Sequence, residues 1–330
     1  MKVFVTGGAG YIGSICVEEL LNAGHKVTVF DNLSEGHRAA VDKRAQFIEG
    51  DLADRPVLFK TLEQVRPEAV MHFAANALVP ESMTNPSKYF RNNVGNGINL
   101  LEACIQGGVQ KFVFSSTCAI FGVPKKVPIS EDLPKEPVNP YGESKLMFEK
   151  ILHWYERQHG LQYVCLRYFN AAGASDDASL GENWDFSENL VPHVMKAVLG
   201  RSAGLKVFGN DWPTPDGTGV RDYIHVEDLA SAHVAALDLL DGGGDSVTLN
   251  VGTGQGTSVL EIIAATERVT GKAVPREIVG RRAGDVSEVW ADASRIRELT
   301  GWEPTRTLDD IIATAYAWHS ANPDGHPSGR

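Results

Sequence analysis

The chain has 330 residues, with 31 Lys plus Arg against 42 Asp plus Glu, a formal charge of −11. That balance, with no run of Lys or Arg longer than two, argues against a nucleic-acid binder, which needs clustered positive charge to displace counterions from phosphate. At 43% apolar and 22% charged residues the composition is that of an ordinary globular protein, long enough for one large domain and a smaller one, and it excludes global disorder.

No segment reaches the roughly 18 to 20 consecutive apolar residues of a membrane span, so no membrane partner is expected. Gly7 and Gly8 interrupt the apolar start too early for a secretory leader, and the protein is expected in the cytoplasm. Cys16, Cys104, Cys118 and Cys165 lie in apolar stretches with no CxxC or Cys/His spacing. They read as reduced packing residues, and no metal is expected.

In chain order, a strand over residues 3–6 runs into Gly7-Gly8-Ala9-Gly10-Tyr11-Ile12-Gly13 and then into a helix over 11–23. In such a turn Gly7 permits the tight bend, Gly10 lets the backbone approach a pyrophosphate, and Gly13 allows close packing of helix on strand. The helix N-terminus then directs partial positive charge at the phosphates. A second strand over 27–30 ends at Asp31, 18 residues after Gly13. Its carboxylate can accept hydrogen bonds from an adenosine ribose, selecting NAD over NADP, or can cap its own loop.

Further strands are expected over 69–73, 112–115 and 163–168, with a helix over 86–106 that stops at Gly107 as the first stops at Gly24. The strands are nearly continuous apolar runs, as for parallel strands covered on both faces by helices. The fold class is therefore α/β, a doubly wound parallel (Rossmann) sheet with a second, smaller domain.

The 112–115 strand leads into Ser115-Ser116-Thr117, hydroxyls at the carboxyl edge of the sheet, where open α/β folds bind ligands. Downstream, Tyr141-Gly142-Glu143-Ser144-Lys145 puts a phenol and an ammonium at i and i+4, on one face of a helix that begins just after Pro140. A phenol of pKa near 10 is a poor base at pH 7, and bringing it there takes roughly 4 kcal/mol of anion stabilisation. Lys145 and a positive nicotinamide could supply it. Thr117 then holds the substrate oxygen while Tyr141 moves the proton and a hydride passes to the cofactor.

Beyond residue 170 the pattern changes. Residues 171–187 are rich in Gly, Ala, Ser and Asp without a period and read as a loop or boundary. Strands are expected at 220–225 and 247–251 and a helix at 228–240, so that 1–170 form an NAD-binding domain, segments near 218–252 return to it, and 171–330 form a smaller domain. The tail over 320–330 reads as frayed. His225, flanked by Asp222 and Asp228, invites a metal or triad reading, but its place between strand and helix makes structural hydrogen bonding the better one. Without HExxH, GxSxG or a P-loop lysine, zinc proteases, α/β-hydrolases and kinases are excluded.

Residues 6–14 (TGGAGYIGS), 31–34 with Gly36-His37, 50–52, 72–75, 92–94, 114–117 and 141–145 together resemble the extended short-chain dehydrogenase/reductase family. The segments 166–170 (LRYFN), 188–192, 208–211, 216–228 (DGTGVRDYIHVED) and Gly284-Asp285 with 290–292 make the resemblance most specific to the UDP-hexose 4-epimerases of that family, over nearly the whole chain. It implies NAD contacts from Gly7, Gly10, Tyr11, Ile12, Gly13, Asp31, Asn32, Leu33, Ser34, Gly36, Asp51, Leu52, Phe73, Ala74, Ala75, Ala77, Asn93, Tyr141, Lys145 and Phe169. Catalysis falls to Thr117, Tyr141 and Lys145. The UDP-sugar would meet Thr117, Tyr141, Asn170, Asn189, Leu190, Val207, Phe208, Arg221, Arg282 and Asp285. A pyrophosphate calls for cations and uracil for an aromatic face, which suits Arg221, Arg282 and Phe208, although either arginine taken alone reads as a surface residue.

The implied activity is NAD-dependent C4 epimerisation of UDP-glucose and UDP-galactose through a transient 4-keto sugar, without net redox change, by a homodimer built on the helices over 86–106 and 141–159. A UDP-pentose or UDP-uronate 4-epimerase and a catalytically silent NAD-sensing protein are the alternatives. Ala77 stands where some epimerases carry Lys, Thr117 replaces Ser, and Cys118-Ala119 replaces the Asp-Glu pair of the sugar dehydratases, which counts against 4,6-elimination. Val289 stands where some relatives carry Tyr. The smaller side chain leaves room for N-acetylated UDP-hexoses such as UDP-GlcNAc and UDP-GalNAc.

Overall fold

The computed structural model describes residues 1–184, 187–282 and 284–327. In its first half β1 (Lys2–Thr6), β2 (Lys26–Asp31), β3 (Gln46–Glu49), β4 (Ala69–His72), β5 (Lys111–Thr117) and β6 (Gln162–Tyr168) alternate with helices. After them come β7 (Asn170–Ala172), β8 (Leu205–Phe208), β9 (Val220–Arg221), β10 (Tyr223–His225), β11 (Val247–Val251), β12 (Thr257–Ser258), β13 (Arg276–Val279) and β14 (Glu288–Val289). Among the described residues the main sheet has seven parallel strands in the order β11-β6-β5-β4-β1-β2-β3. The order reverses between β1 and β4, the crevice where such sheets bind dinucleotides.

Side chains alternate along each strand, and both faces are apolar. Val3 and Val5 join Val17 and Leu20 of α1 (Tyr11–Asn22) in one core. Phe4, between them, joins the opposite core with Leu58 and Leu62 of α2 (Arg55–Val65). After the short helices α3 (Val79–Thr84) and α4 (Pro86–Tyr89), that second core also takes Leu100 and Cys104 of α5 (Gly97–Gly107) and Phe148 and Leu152 of α6 (Pro140–His159). Burial on both faces is what the continuous apolar runs require. A separate core in the second half joins α7 (Leu190–Val198), α9 (Val259–Thr270) and α11 (Leu308–Ala321) through Met195, Ile262 and Ile312. Between them in sequence, α8 (Val226–Asp241) packs Leu229, Ala236 and Leu237 onto the first face of the main sheet, and α10 is Ser294–Thr300.

Four local expectations are corrected. The helix over 86–106 is not continuous: α4 passes into a π-helical segment, Phe90–Asn96, before α5 begins. Its left-handed terminator is Gly108 (φ 75), with Gly107 still helical. The strand over 220–225 is split at Asp222, so that β9 pairs with β12 and β14 while β10 pairs with β7 outside the main sheet, and only β11 of this region joins it. The tail is held as far as His326, which is buried, stacks on His37 at 5.1 Å between ring centroids and lies 4.6 Å from Trp318. Residues 328–330 of that tail and 185–186 of the expected loop lie outside the described residues. Among the described residues no helix is long and apolar enough to cross a membrane, and all four cysteines are free thiols.

Candidate active site

The glycine loop closes the end of β1. Gly7 takes φ 74, and a Cβ there would lie 2.5 Å from the Ala74 amide nitrogen, so the turn and the strand end after β4 are in contact. A Cβ on Gly13 would meet the Gly7 carbonyl oxygen at 2.2 Å, which is why α1 can seat directly on the turn. Gly10 differs. It is the N-cap of α1 with ordinary extended geometry, and its Cβ would find no heavy atom nearer than the Gly7 oxygen at 3.4 Å. That side of the helix N-terminus is open to a phosphate, so the cradle fits a dinucleotide.

Asp31 is 7% exposed and accepts the Ala9 amide at 3.0 Å and the Leu33 amide at 2.8 Å. Burial raises its pKa and the two amides oppose that rise. It therefore caps the loop, and each oxygen retains a lone pair for a ribose hydroxyl, so the two readings are compatible. Asn32 Nδ2 donates to Asp51 at 2.8 Å, joining the ends of β2 and β3. Leu52 turns into the core, and Asn93 is committed to the protein, taking the Asn76 amide at 2.8 Å and donating to Ser144 Oγ at 3.0 Å. Ala77, in the loop after Phe73, Ala74 and Ala75, is exposed. Phe169, just past β6, is buried beside Ile120 and Leu146.

Asn139 caps α6, accepting the Gly142 amide at 2.8 Å, with Pro140 at the first helical position. This sets Tyr141 and Lys145 on the face turned to β5. Lys145 is 2% exposed, and its Nζ donates to the Ser115 carbonyl at 2.7 Å and lies 5.9 Å from the centre of the Tyr141 ring. Thr117 Oγ1 accepts the Ala119 amide at 3.1 Å and is within hydrogen-bonding reach of the Tyr141 phenol. Burial pushes Tyr141 up to about 12 against that hydrogen bond. Burial also pulls Lys145 down to about 7, opposed by Glu149. The trio expected from the motif is thus together, but its proton affinities are set by desolvation more than by mutual attraction.

The expected substrate residues form two groups. Arg282 lies over the Phe208 ring, 5.4 Å from its centre, and pairs with Asp285 at 2.9 Å. Phe208 is 39% exposed, whereas its neighbour Val207 is buried and offers only its main chain. The second group is Arg221, which pairs in register with Val289 and acts electrostatically on Cys118, next to Thr117. Asn170 opens β7, its amide bonded to the Asp222 carbonyl at 3.0 Å. Asn189, the N-cap of α7 just before Leu190, donates to Glu182 at 2.7 Å.

Sequence reasoning missed three buried acids. Glu182 is pushed up to about 7 by burial and orients Asn189. Glu149 pairs with Arg167 at 2.6 Å behind Lys145. Asp222, weighed only as a neighbour of His225, accepts Thr253 N at 2.8 Å, Thr253 Oγ1 at 2.7 Å, and Gly254 N and Ala291 N each at 3.1 Å. It ties β9 and β10 to the turn after β11 and to the strand carrying Val289. Its place in the 216–228 segment was the only signal. His225 caps α8, accepting the Glu227 amide at 3.1 Å, and no cluster suited to a metal occurs among the described residues.

Residues 3–252 match the model of the NAD dependent epimerase/dehydratase family. The UDP-glucose 4-epimerase of Lacticaseibacillus casei is 50% identical, over 98% of this chain and 98% of its own. Of solved structures, the UDP-glucose-4-epimerase of Stenotrophomonas maltophila with bound NAD and formylated UDP-arabinopyranose has a TM-score of 0.95 at 41% identity, covering 98% of this chain and 99% of that one. The UDP-Glc/GlcNAc 4-epimerase of Campylobacter jejuni has a TM-score of 0.86 at 42% identity, covering 97% and 99%. The chain belongs to the NAD dependent epimerase/dehydratase family.

Proposed function

We propose that this member of the NAD dependent epimerase/dehydratase family interconverts UDP-glucose and UDP-galactose through a transient 4-keto sugar. The observation that carries the reading is the meeting of Thr117, Tyr141 and Lys145 at the end of β5, within one sheet edge of the glycine loop. NAD, when bound, supplies the hydride acceptor for C4 and a positive ring charge that favours a nearby phenolate. Thr117 holds the 4-oxygen. Tyr141 takes the proton from the 4-hydroxyl and returns it to the keto oxygen once the sugar has turned. A phenol near 12 must be brought down by about 5 units to act at pH 7, about 7 kcal/mol. The Lys145 ammonium supplies part of that. Phenolate formation in turn strengthens the lysine's hold on its proton, so the two titrate as a pair.

Arg282 and Arg221 bind the pyrophosphate and Phe208 takes the uracil, which holds the UDP half firmly while the hexose stays free to present either face. Residues 1–170 with the strand at 247–251 form the NAD-binding part, and most of the remainder binds the nucleotide sugar. The enzyme works in the cytoplasm as a homodimer through the helical segment of residues 86–106 and α6, on which Met147 is exposed. Sedimentation velocity tests the dimer.

The deciding experiment is turnover of UDP-galactose by pure protein without added NAD. Tyr141→Phe should lower the rate by about 10²–10⁴-fold. A wild type without activity that this change removes would end the reading. A second substrate pair is favoured by one observation: Val289, a small side chain, lies beside Arg221 in register, and Arg221 acts electrostatically on Cys118, next to Thr117. UDP-GlcNAc and UDP-GalNAc are therefore substrates too; the name of the Campylobacter jejuni relative gives Glc and GlcNAc for that protein. Absence of turnover of the acetylated pair would refute it.

A further inference from the structure

One buried charge on the catalytic helix has no part in the chemistry above. Glu149 lies one turn beyond Lys145 and two beyond Tyr141. Its carboxylate accepts Ser116 Oγ at 2.6 Å and Arg167 Nε and Nη2 at 3.0 and 2.6 Å. Ser116 and Arg167 are register partners on β5 and β6, so one carboxylate spans two strands of the sheet. Ser116 is also the middle of three consecutive residues that hold α6: the Ser115 carbonyl accepts Lys145 Nζ at 2.7 Å, Ser116 Oγ donates to Glu149, and Thr117 reaches Tyr141.

We infer that Glu149 is a positioning residue for the epimerase reaction: clasped by Ser116 and Arg167, it sets α6 in register on the end of β5 and keeps Lys145 an ammonium beside Tyr141. The inference rests on the roles proposed for Tyr141 and Lys145.

The surroundings of Lys145 leave that task to Glu149. From its own helix it meets Tyr141 and Glu149. From β5 come the Ser115 carbonyl and the Phe114 ring, whose centre is 4.8 Å from Nζ. From β4 comes His72, hydrogen-bonded to Thr6 at 2.7 Å and neutral, its pKa pulled down to about 3 by burial and by Lys145. From β6 come the Cys165 thiol, kept protonated by burial, and Arg167, whose charge Glu149 matches. Glu149 is the one anion in this set. A residue at i+4 on a helix is a close neighbour, whereas one at i+8 is about 12 Å along the axis. The carboxylate therefore acts on the ammonium far more than on the phenol.

The sign follows. Lys145 is already pulled down by burial and held up by Glu149. Neutralising Glu149 makes the lysine release its proton at lower pH, and the alkaline limb of kcat/KM moves down. The main test is Glu149→Gln, and because it strands the Arg167 guanidinium, Glu149→Gln with Arg167→Met, which neutralises both partners at similar volume, is its control. Glu149→Asp serves as the conservative rescue.

With full-length enzyme and UDP-galactose, Glu149→Gln should show its alkaline limb about 1 pH unit below wild type and kcat about 10-fold lower on that limb, and the double variant, which also loses the repelling Arg167 charge, a smaller fall in the same direction. KM should stay within about 3-fold, since the UDP contacts are elsewhere. Glu149→Asp, which keeps the charge, should bring the limb back toward wild type. Should Glu149→Gln fail to fold, the double variant against Glu149→Asp keeps the comparison, with the smaller shift. A limb that stays at the wild-type position in the neutralised variants overturns the inference, however much stability or rate has fallen. Activity surviving in Tyr141→Phe overturns instead the reading beneath it, so the two failures are distinguishable.

Discussion

Replacing Gly10 and Gly13 separately by Ala should divide cofactor binding from folding, although the two residues are three apart in one motif. At Gly13 the new methyl would start 2.2 Å from the Gly7 carbonyl oxygen and 3.0 Å from Gly8 Cα. Both are backbone atoms that cannot rotate aside, so α1 must lift by about 1 Å to reach ordinary contact. Overpacking of this kind costs about 1–3 kcal/mol, of which the better helix propensity of Ala returns up to about 1. At Gly10 the nearest atom is 3.4 Å away, and the φ of −83° and ψ of 174° suit any residue. The fold should tolerate Gly10→Ala, but the methyl stands where a pyrophosphate must approach the amides. Losing one charge-assisted hydrogen bond of about 1.5–3 kcal/mol lowers NAD affinity about 10- to 100-fold. The assays are the thermal midpoint of each variant and the NAD retained through gel filtration. With NAD removed from all three proteins, Gly13→Ala should melt several degrees below wild type and Gly10→Ala near it, and Gly10→Ala should retain little NAD when the cofactor is restored. Equal melting losses in the two variants, or full NAD retention by Gly10→Ala, would refute this reading of the loop.

Asp222→Asn should lower stability by about 2–4 kcal/mol, because its amide group must face backbone N–H donors on whichever oxygen it replaces, and urea unfolding measures the loss. A variant within about 0.5 kcal/mol of wild type would mean that the carboxylate is not the joint described. His225, His233 and His319 are buried with pKa values pulled down to about 4, and His72 to about 3. Their folded values lie below the unfolded value near 6.5, so the stability they permit is complete above about 6.5 and is lost as pH falls toward 4. At pH 5 each of the first three should take up a proton on unfolding, at about 2 kcal/mol apiece. Urea midpoints should therefore fall steeply between pH 6.5 and 4.5, and a flat profile there would contradict neutral burial.

The parts of the site that could be read from the chain sit on single elements. Gly7, Gly10 and Gly13 follow from one strand-to-helix turn, Tyr141 and Lys145 from one helical period, and Asp31 and Thr117 from the ends of apolar runs. Backbone geometry alone turns such spacings into positions. The parts that could not be read need distant partners. The donors to Asp222 lie 31, 32 and 69 residues away, and the partner of Glu149 on β6 lies 18 residues away across a strand pairing that no spacing announces. The tail read as frayed because nothing local predicts that His326 stacks on His37. The helix over 86–106 read as continuous because its composition does not mark the π segment. Its continuation in α5 does bring Gly97 so close to Phe148 that a Cβ would lie 2.4 Å from the ring.

By itself, then, the amino-acid order determined the fold class, the glycine turn between the first strand and helix, and the placing of Tyr141 and Lys145 on one helix face, since each depends on the geometry of a few neighbouring peptide units. Only the tertiary structure decided the state of that pair. Tyr141 near 12 and Lys145 near 7 result from being wrapped by β4, β5 and β6, with Glu149 set among them by a strand register. Proton affinity depends on desolvation and on charges brought together through space, and neither is a property of sequence neighbours.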